Sequence, residues 1–255
     1  MTPPLTLYAT HAWNGPVEPV RPGTETAGGD ELYYANSGGL NFARRISMRA
    51  RTAIFRLFME EMRPGPDTSV LDVGVYLDVG TSPGAGCEVN VLEQLYPHRE
   101  RLTCAGIGDG AAVRAAYPGV RFAELTPHAP LPFADGEFDV AYSNAVIEHV
   151  GSRAQQRAFL AEMCRVSRRV FVVAPNRLFP VEHHTCLPLV SYLPTRVFRA
   201  LAARTRYAFW AEEANLNPLL ACQLVALFPP GRPARVRHAG LGVGAFKSNL
   251  VAILP

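Results

Sequence analysis

LPFADGEFDVAYSNAVIEHV, Leu131–Val150, is the stretch on which the fold turns. A loop of the form L-P-F-x-D-x-x-F-D leads into a hydrophobic run, Phe138 to Tyr142, that reads as a buried strand. The strand gives way to Ser143-Asn144-Ala145, with Glu148 and His149 on the following helical turn. Polar residues directly after a buried strand have two readings. Either Asn144 caps the next helix above a polar first turn, or the group lines a ligand crevice, and one residue can do both.

On either side of this stretch, short β-branched runs alternate with helical patterns. The runs are Val70 to Val79, Leu102 to Ile107, Val120 to Ala123 and Val170 to Ala174; Glu88 to Leu95, Gly110 to Ala116 and Gln155 to Val166 supply crossover helices between them. Strands alternating with helices mean a parallel, doubly wound sheet. Before the first run, Asn41 to Arg63 places Phe42, Ile46, Ala50, Ala53, Ile54, Leu57 and Phe58 at three- and four-residue steps with arginines between them, closed by Pro64-Gly65. That is an amphipathic helix. Its basic face suits an anionic membrane or acidic substrate, but a solvated face on a packed helix is the simpler reading. Beyond Pro175 come the proline-punctuated NRLFPVEHHTCLPLVSYLP, helical stretches near Thr195 to Arg204 and Pro218 to Leu227, and two last strands, Ala234 to His238 and Ser248 to Ile253.

Residues 1–40 carry five prolines and two Gly-Gly pairs, which make an arm rather than a domain. Its Tyr8, Trp13, Tyr33 and Tyr34 suit docking over the body, against the alternative of a solvated tail, and its apolar residues equally suit a homodimer interface. The expected organisation is this arm followed by one domain, 41–255, with a substrate-side insertion at about 177–230. At 48% hydrophobic and 18% charged, the 255 residues suffice for one sizeable core. A net charge of +3 falls short of a nucleic-acid binder's basic stripe. The five cysteines form no C-x-x-C pair, which speaks against a zinc knuckle or disulfide framework. No leader pattern opens the sequence and no stretch approaches eighteen uninterrupted apolar residues. A reduced, cytoplasmic protein without a membrane span is expected.

In an open parallel sheet the ligand crevice lies beyond the carboxyl ends of the strands. After the first strand the chain reads SVLDVGVYLDVGTSPGAGCEVNVLEQL, in which Leu-Asp-Val-Gly occurs twice, at 71–74 and 77–80. Measured from the upstream helix Gly74 is the loop glycine; measured from Glu88 and Asn90, Gly80 is. Val73, Val75, Leu77 and Val79 also allow one long strand with a bulge at Gly74, and the register stays open. After the fifth strand come Glu182, His183 and His184, suited to taking a proton from a hydroxyl. The competing reading is that E-x-H-T pins a loop. A metal is not expected there, because consecutive residues rarely converge on one ion.

With VLDVG, LPFADGEFDVAYSNAVIEHV and APNRLFPVEHHT, the chain resembles the class I S-adenosylmethionine-dependent methyltransferases of the bacterial small-molecule type, over roughly residues 41–255. The resemblance implies a Rossmann-like, doubly wound, seven-stranded, mostly parallel α/β sheet with the last strand antiparallel. It implies S-adenosyl-L-methionine as cofactor, its methionine end seated against the first loop and its ribose held by an acid after the second strand. On this chain those roles fall to Asp72 and Gly74 or Asp78 and Gly80, with Thr81, Ser82, Glu88 and Asn90 as the polar residues before the helix. Asp109 takes the ribose role, one residue past the usual acidic position at Gly108. Leu125, with Glu124, stands beside the adenine, and Asn144 lines the methionine side. His184, Glu182 and His149 are the catalytic candidates.

The function expected is O-methylation of a small-molecule or saccharide acceptor in a biosynthetic pathway. The alternative, supported by the doubled Leu-Asp-Val-Gly, Gly108 and Leu125, is a cofactor-free pseudo-methyltransferase serving as scaffold or partner subunit in a biosynthetic complex. An NAD enzyme needs G-x-G-x-x-G after the first strand, and Gly84-Ala85-Gly86 gives only a fragment. A DNA N-methyltransferase usually carries D/N-P-P-Y/F, where this chain has Ala174-Pro175-Asn176-Arg177.

Overall fold

The computed structural model describes residues 40–75, 77, 90–127 and 129–255. Residues 1–39 of the arm, the Asp78–Gly80 end of the second Leu-Asp-Val-Gly copy, Thr81, Ser82, Cys87 and Glu88 lie outside the described residues, and so do the expectations placed on them. Helix α1 (Leu40–Met62) precedes β1 (Val70–Val73), α2 (Val91–Leu95), β2 (Leu102–Gly106), α3 (Ala111–Ala116), β3 (Arg121–Glu124), β4 (Phe138–Asn144), α4 (Arg153–Val166), β5 (Ser167–Pro175), α5 (Thr195–Ala202), α6 (Ala221–Val225), β6 (Arg235–Ala239) and β7 (Asn249–Leu254).

The strands form one seven-stranded sheet in the order β3-β2-β1-β4-β5-β7-β6. β1, β2, β3, β4 and β5 pair in parallel, while β7 inserts antiparallel between β5 and β6. This is the expected Rossmann-like sheet with its last strand antiparallel, and the strand order reverses between β1 and β4, where such sheets open a crevice.

Both faces of the inner strands β1, β2, β4, β5 and β7 are covered, which is why most of these read as continuous apolar runs rather than alternations. In β5, Val170, Val172 and Ala174 point to a core shared with Phe159, Leu160 and Met163 of α4. Phe171 and Val173 point to the opposite core, shared with Ile54, Phe58 and Met62 of α1. Those α1 residues recur every four positions, so one stripe of the helix is buried while Arg49 and Arg56 are exposed. The Phe58 ring meets Tyr142 and Phe171 edge-on at 5.3 and 5.4 Å. Arg169 Nη1 donates to the carbonyl of Met62 at 2.6 Å, closing the end of the helix. A third, smaller cluster of Ala202, Tyr207, Trp210, Ala211 and Leu216 lies within the proline-punctuated insertion.

Two local readings are resolved. β1 is built from the first Leu-Asp-Val-Gly copy and stops at Val73, so the single long strand to Val79 does not form. Gly74 takes φ +92°, and its N–H and that of Val75 both donate to the carbonyl of Ala105, at 2.8 and 3.3 Å. The chain therefore folds over the end of β2, burying Val75 and Leu77 beside Gly106. The capping reading of Asn144 is also corrected. After Asn144 the chain passes through Ala145 at φ +58° and a 3-10 turn, Ile147–His149. The next helix, α4, is capped by Ser152 with Gln155 in a reciprocal capping box. Asn144 is the half-buried last residue of β4.

Candidate functional site

The loop that identifies the middle motif has a structural cause. Arg165, near the end of α4, donates from Nη1 to the carbonyl of Phe133 (2.8 Å) and from Nη2 to that of Leu131 (2.9 Å), and it is paired with Glu162 and Asp135. Glu162 Oε2 in turn accepts from Leu131 N–H at 2.8 Å. The L-P-F-x-D-x-x-F-D segment is thus fastened to α4, which sets the start of β4. At the other end of that strand Ser143 Oγ donates to the carbonyl of Val73 at 2.9 Å, locking the carboxyl ends of β4 and β1 together.

The crevice residues nominated from sequence divide into two groups. Gly74 and Asn144 stand at the adjoining ends of β1 and β4. A Cβ on Gly74 would lie 2.4 Å from Val146 Cγ2, so the turn there accepts only glycine. Asp109 lies at the end of β2 with an exposed carboxylate that accepts from Ala111 N–H at 3.0 Å and Arg114 Nη2 at 3.4 Å. Leu125 follows β3, donates its N–H to the carbonyl of Gly106 at 2.7 Å and packs on the α4-side core. Asn90 occupies the position before α2. Asp72, by contrast, is turned inward. Its carboxyl is buried against Glu93, also buried, and Glu93 Oε1 accepts from the Cys104 thiol at 3.2 Å. Burial first, and then the charge of Glu93, push the Asp72 carboxyl well above the usual range. Asp72 therefore faces the interior beside Glu93 rather than the crevice.

The three catalytic candidates converge, although they come from two separate segments, the turn after β4 and the loop after β5. Glu182 Oε1 accepts from His184 Nδ1 at 2.9 Å, while Oε2 accepts from the N–H groups of His184 (3.0 Å) and Thr185 (2.6 Å) and from Thr185 Oγ1 (2.8 Å). Burial raises this carboxyl, but the His184 interactions outweigh it and hold it down at about 2. The E-x-H-T segment therefore does pin its own loop. It also aims His184 at His149: their Nε2 atoms are 3.1 Å apart and their rings meet edge-on. His149 Nδ1 lies 2.7 Å from the carbonyl of Asn215, and burial, then His184, depress its basicity to about 3. Trp210 covers the pair, 4.7 Å from the His184 ring and 5.8 Å from that of His149.

One member of the group was named from sequence only with the polar turn after β4 and given no catalytic or cofactor role. Glu148, 1% exposed, has both carboxylate oxygens buried without a hydrogen-bond partner among the described residues. Burial raises it to about 7. Its backbone is fixed: Asn217 N–H donates to the Glu148 carbonyl at 2.7 Å, and Gln156 Nε2 ties Ile147 to Asn217 at 2.8 and 2.9 Å. In sequence Glu148 reads as part of a polar turn; only its burial marks it out. A small pocket opens beside the group, lined by Glu148, Asn176, Glu182, His183, His184 and Phe198 among others. Burial, then His184, lower His183 in that lining to about 4.

Residues 77–170 match the model of a family described as a methyltransferase domain. The match begins at the second Leu-Asp-Val-Gly copy, whereas the fold builds β1 from the first. No curated protein sequence matches the chain. Among solved structures, the chain is similar to an S-adenosylmethionine-dependent methyltransferase from Aquifex aeolicus, at 12% identity and TM-score 0.46 over 89% of this chain and 98% of that one. It is also similar to the N-methyltransferase NodS from Bradyrhizobium japonicum WM9 in complex with S-adenosyl-L-homocysteine, at 14% identity and TM-score 0.47 over 90% and 93%. The fold assignment rests on the strand order, not on these scores.

Proposed function

We propose that this chain, a class I S-adenosylmethionine-dependent methyltransferase by its matched domain and its sheet, methylates an oxygen of a small-molecule or saccharide acceptor. The observation that carries the acceptor side is the Glu182–His184–His149 chain, of which Glu182 and His184 line the pocket.

The residues at the sheet's crevice fit the cofactor. Gly74 and Asn144 adjoin where the strand order reverses, and the exposed Asp109 carboxylate at the end of β2 suits the ribose hydroxyls. When bound, S-adenosylmethionine supplies a methyl group on a cationic sulfonium, open to in-line displacement. The protein's work is then to align the acceptor and to provide a place for its proton. The pocket, walled by the insertion with Leu216 and Phe198 of the Trp210 cluster, holds the acceptor; its hydroxyl is activated at His184, which lines the pocket and is backed by His149. Action in the cytoplasm, within a biosynthetic pathway, belongs to the same reading. No helix among the described residues is long and apolar enough to cross a membrane.

A scaffold without cofactor is the second reading, favoured by the engagement of Asp109 with Ala111 and Arg114. A thermal shift of the full chain separates the two. A ligand that binds only the folded state stabilises it, by about 2.7 kcal/mol at a hundredfold excess over Kd. Stabilisation by both S-adenosylmethionine and S-adenosylhomocysteine supports the enzyme; no shift at millimolar ligand supports the scaffold.

A further inference from the structure

We propose that Glu148, His149 and His184 form a binding site for one divalent first-row transition-metal ion, zinc or a metal of similar coordination chemistry, on the wall of the acceptor pocket.

The tautomers follow from the outer partners. A backbone carbonyl cannot donate, so the 2.7 Å contact with Asn215 puts the proton of neutral His149 on Nδ1. The ionised Glu182 carboxylate likewise puts a proton on His184 Nδ1. Both Nε2 atoms of the neutral rings then carry lone pairs, and they face each other at 3.1 Å. Two lone pairs at that distance repel unless a positive charge lies between them. A proton there would satisfy the two nitrogens and leave both Glu148 oxygens buried without partners. A metal ion satisfies all three side chains.

Three independent features agree with the ion. Ligand atoms of the three residues all lie within 4.8 Å of one another, and His149 Nε2 is 3.8 Å from Glu148 Oε1. Metal–nitrogen bonds of about 2.0–2.1 Å place neighbouring nitrogens about 3.0–3.4 Å apart, which brackets the observed pair; Glu148 completes the shell by turning its carboxyl inward. Each histidine donates its outer N–H to a carbonyl or carboxylate, the arrangement that orients metal-bound imidazoles and raises their basicity. Charge also balances, since a dication meets the carboxylates of Glu148 directly and Glu182 through His184. Two imidazoles and one carboxylate suit zinc, cobalt, iron or nickel over magnesium or calcium. The sequence argument against a metal concerned the consecutive Glu182, His183 and His184. The cluster instead draws two ligands from the turn after β4 and one from the loop after β5.

The three protein ligands leave coordination positions for the pocket. Only the ion's role in catalysis rests on the methyl-transfer reading: an acceptor hydroxyl coordinated there becomes more acidic.

The test uses the full chain stripped with a chelator, dialysed, and titrated with Co²⁺ and Zn²⁺ without cofactor or acceptor. It is therefore independent of methyl transfer. About one Co²⁺ per chain is expected, with visible d–d absorption of a low-symmetry site that Zn²⁺ abolishes, and a rise in melting temperature. Glu148→Gln and His184→Gln are expected to weaken binding at least tenfold, and Glu182→Gln about ten- to hundredfold through loss of the outer partner. His98→Gln, beyond the opposite end of β2, should leave binding unchanged. The proposal is overturned if the folded wild-type chain takes up no Co²⁺ or Zn²⁺ at micromolar concentration. It is equally overturned if folded Glu148→Gln and His184→Gln proteins bind as the wild type does. Should those variants not fold, the wild-type titration and its melting shift decide alone.

Discussion

The Nε2 atoms of His149 and His184 face each other at 3.1 Å across 35 residues of sequence. One ring is held by the carbonyl of Asn215 and the other by the carboxylate of Glu182. Everything proposed for the acceptor side depends on that convergence.

His184→Ala is expected to lower turnover with an oxygen acceptor by about a hundredfold or more, whether His184 takes the hydroxyl proton itself or holds an ion that acidifies the hydroxyl, while S-adenosylmethionine affinity stays within about twofold. Release of S-adenosylhomocysteine and calorimetric titration of the cofactor give the two numbers. An equal loss in both would make His184 a structural residue.

Asn144→Ala should act in the opposite sense on the same two measurements. Losing one hydrogen bond to a charged ligand costs about 1.5–3 kcal/mol, hence roughly tenfold or more in cofactor affinity. Unchanged affinity would remove Asn144 from the crevice.

Gly74→Ala is expected to destabilise the chain by at least about 1–3 kcal/mol, from the left-handed backbone and the clash with Val146 Cγ2 at 2.4 Å. Adding Val146→Ala should recover the steric part only. Urea unfolding midpoints report both, and a neutral Gly74→Ala would mean that β1 is built from the second copy.

The acid pair gives a pH dependence. The folded-state pKa values of Asp72 and Glu93 are both raised, with burial as the leading cause. Their contribution is thus fully present below the ordinary carboxylate range and is lost as pH rises through the raised values. For one retained proton the slope is about 1.4 kcal/mol per pH unit. Asp72→Asn keeps a donor toward Glu93 and needs no proton. Its melting temperature relative to wild type should climb between pH 5 and pH 9; a constant difference would refute the raised carboxyls.

Arg165→Ala removes the donors to the carbonyls of Leu131 and Phe133. A loss of about 2 kcal/mol is expected, and Arg165→Lys should restore little of it, because one ammonium cannot reproduce the guanidinium fork. Chemical denaturation of the two variants checks this.

The sequence by itself determined the architecture. β-branched runs spaced by helical patterns can satisfy their backbone and bury both faces only as a parallel sheet with crossovers, and, apart from β1, which stops well short of the end of its run, each strand lies within a few residues of the run that announced it. Sequence also separated the polar ends of β4 and β5 from their apolar bodies, which nominated His149, Glu182 and His184. Tertiary structure alone decided which Leu-Asp-Val-Gly copy makes β1, since the two are locally identical and the choice depends on Gly74 and Val75 reaching Ala105. It turned Asp72 away from the crevice and against Glu93, a pairing that strand alternation leaves open. And it made Glu148 part of the site: a glutamate in a polar turn and a glutamate buried without a partner read alike until the residue 215–217 segment closes over the turn.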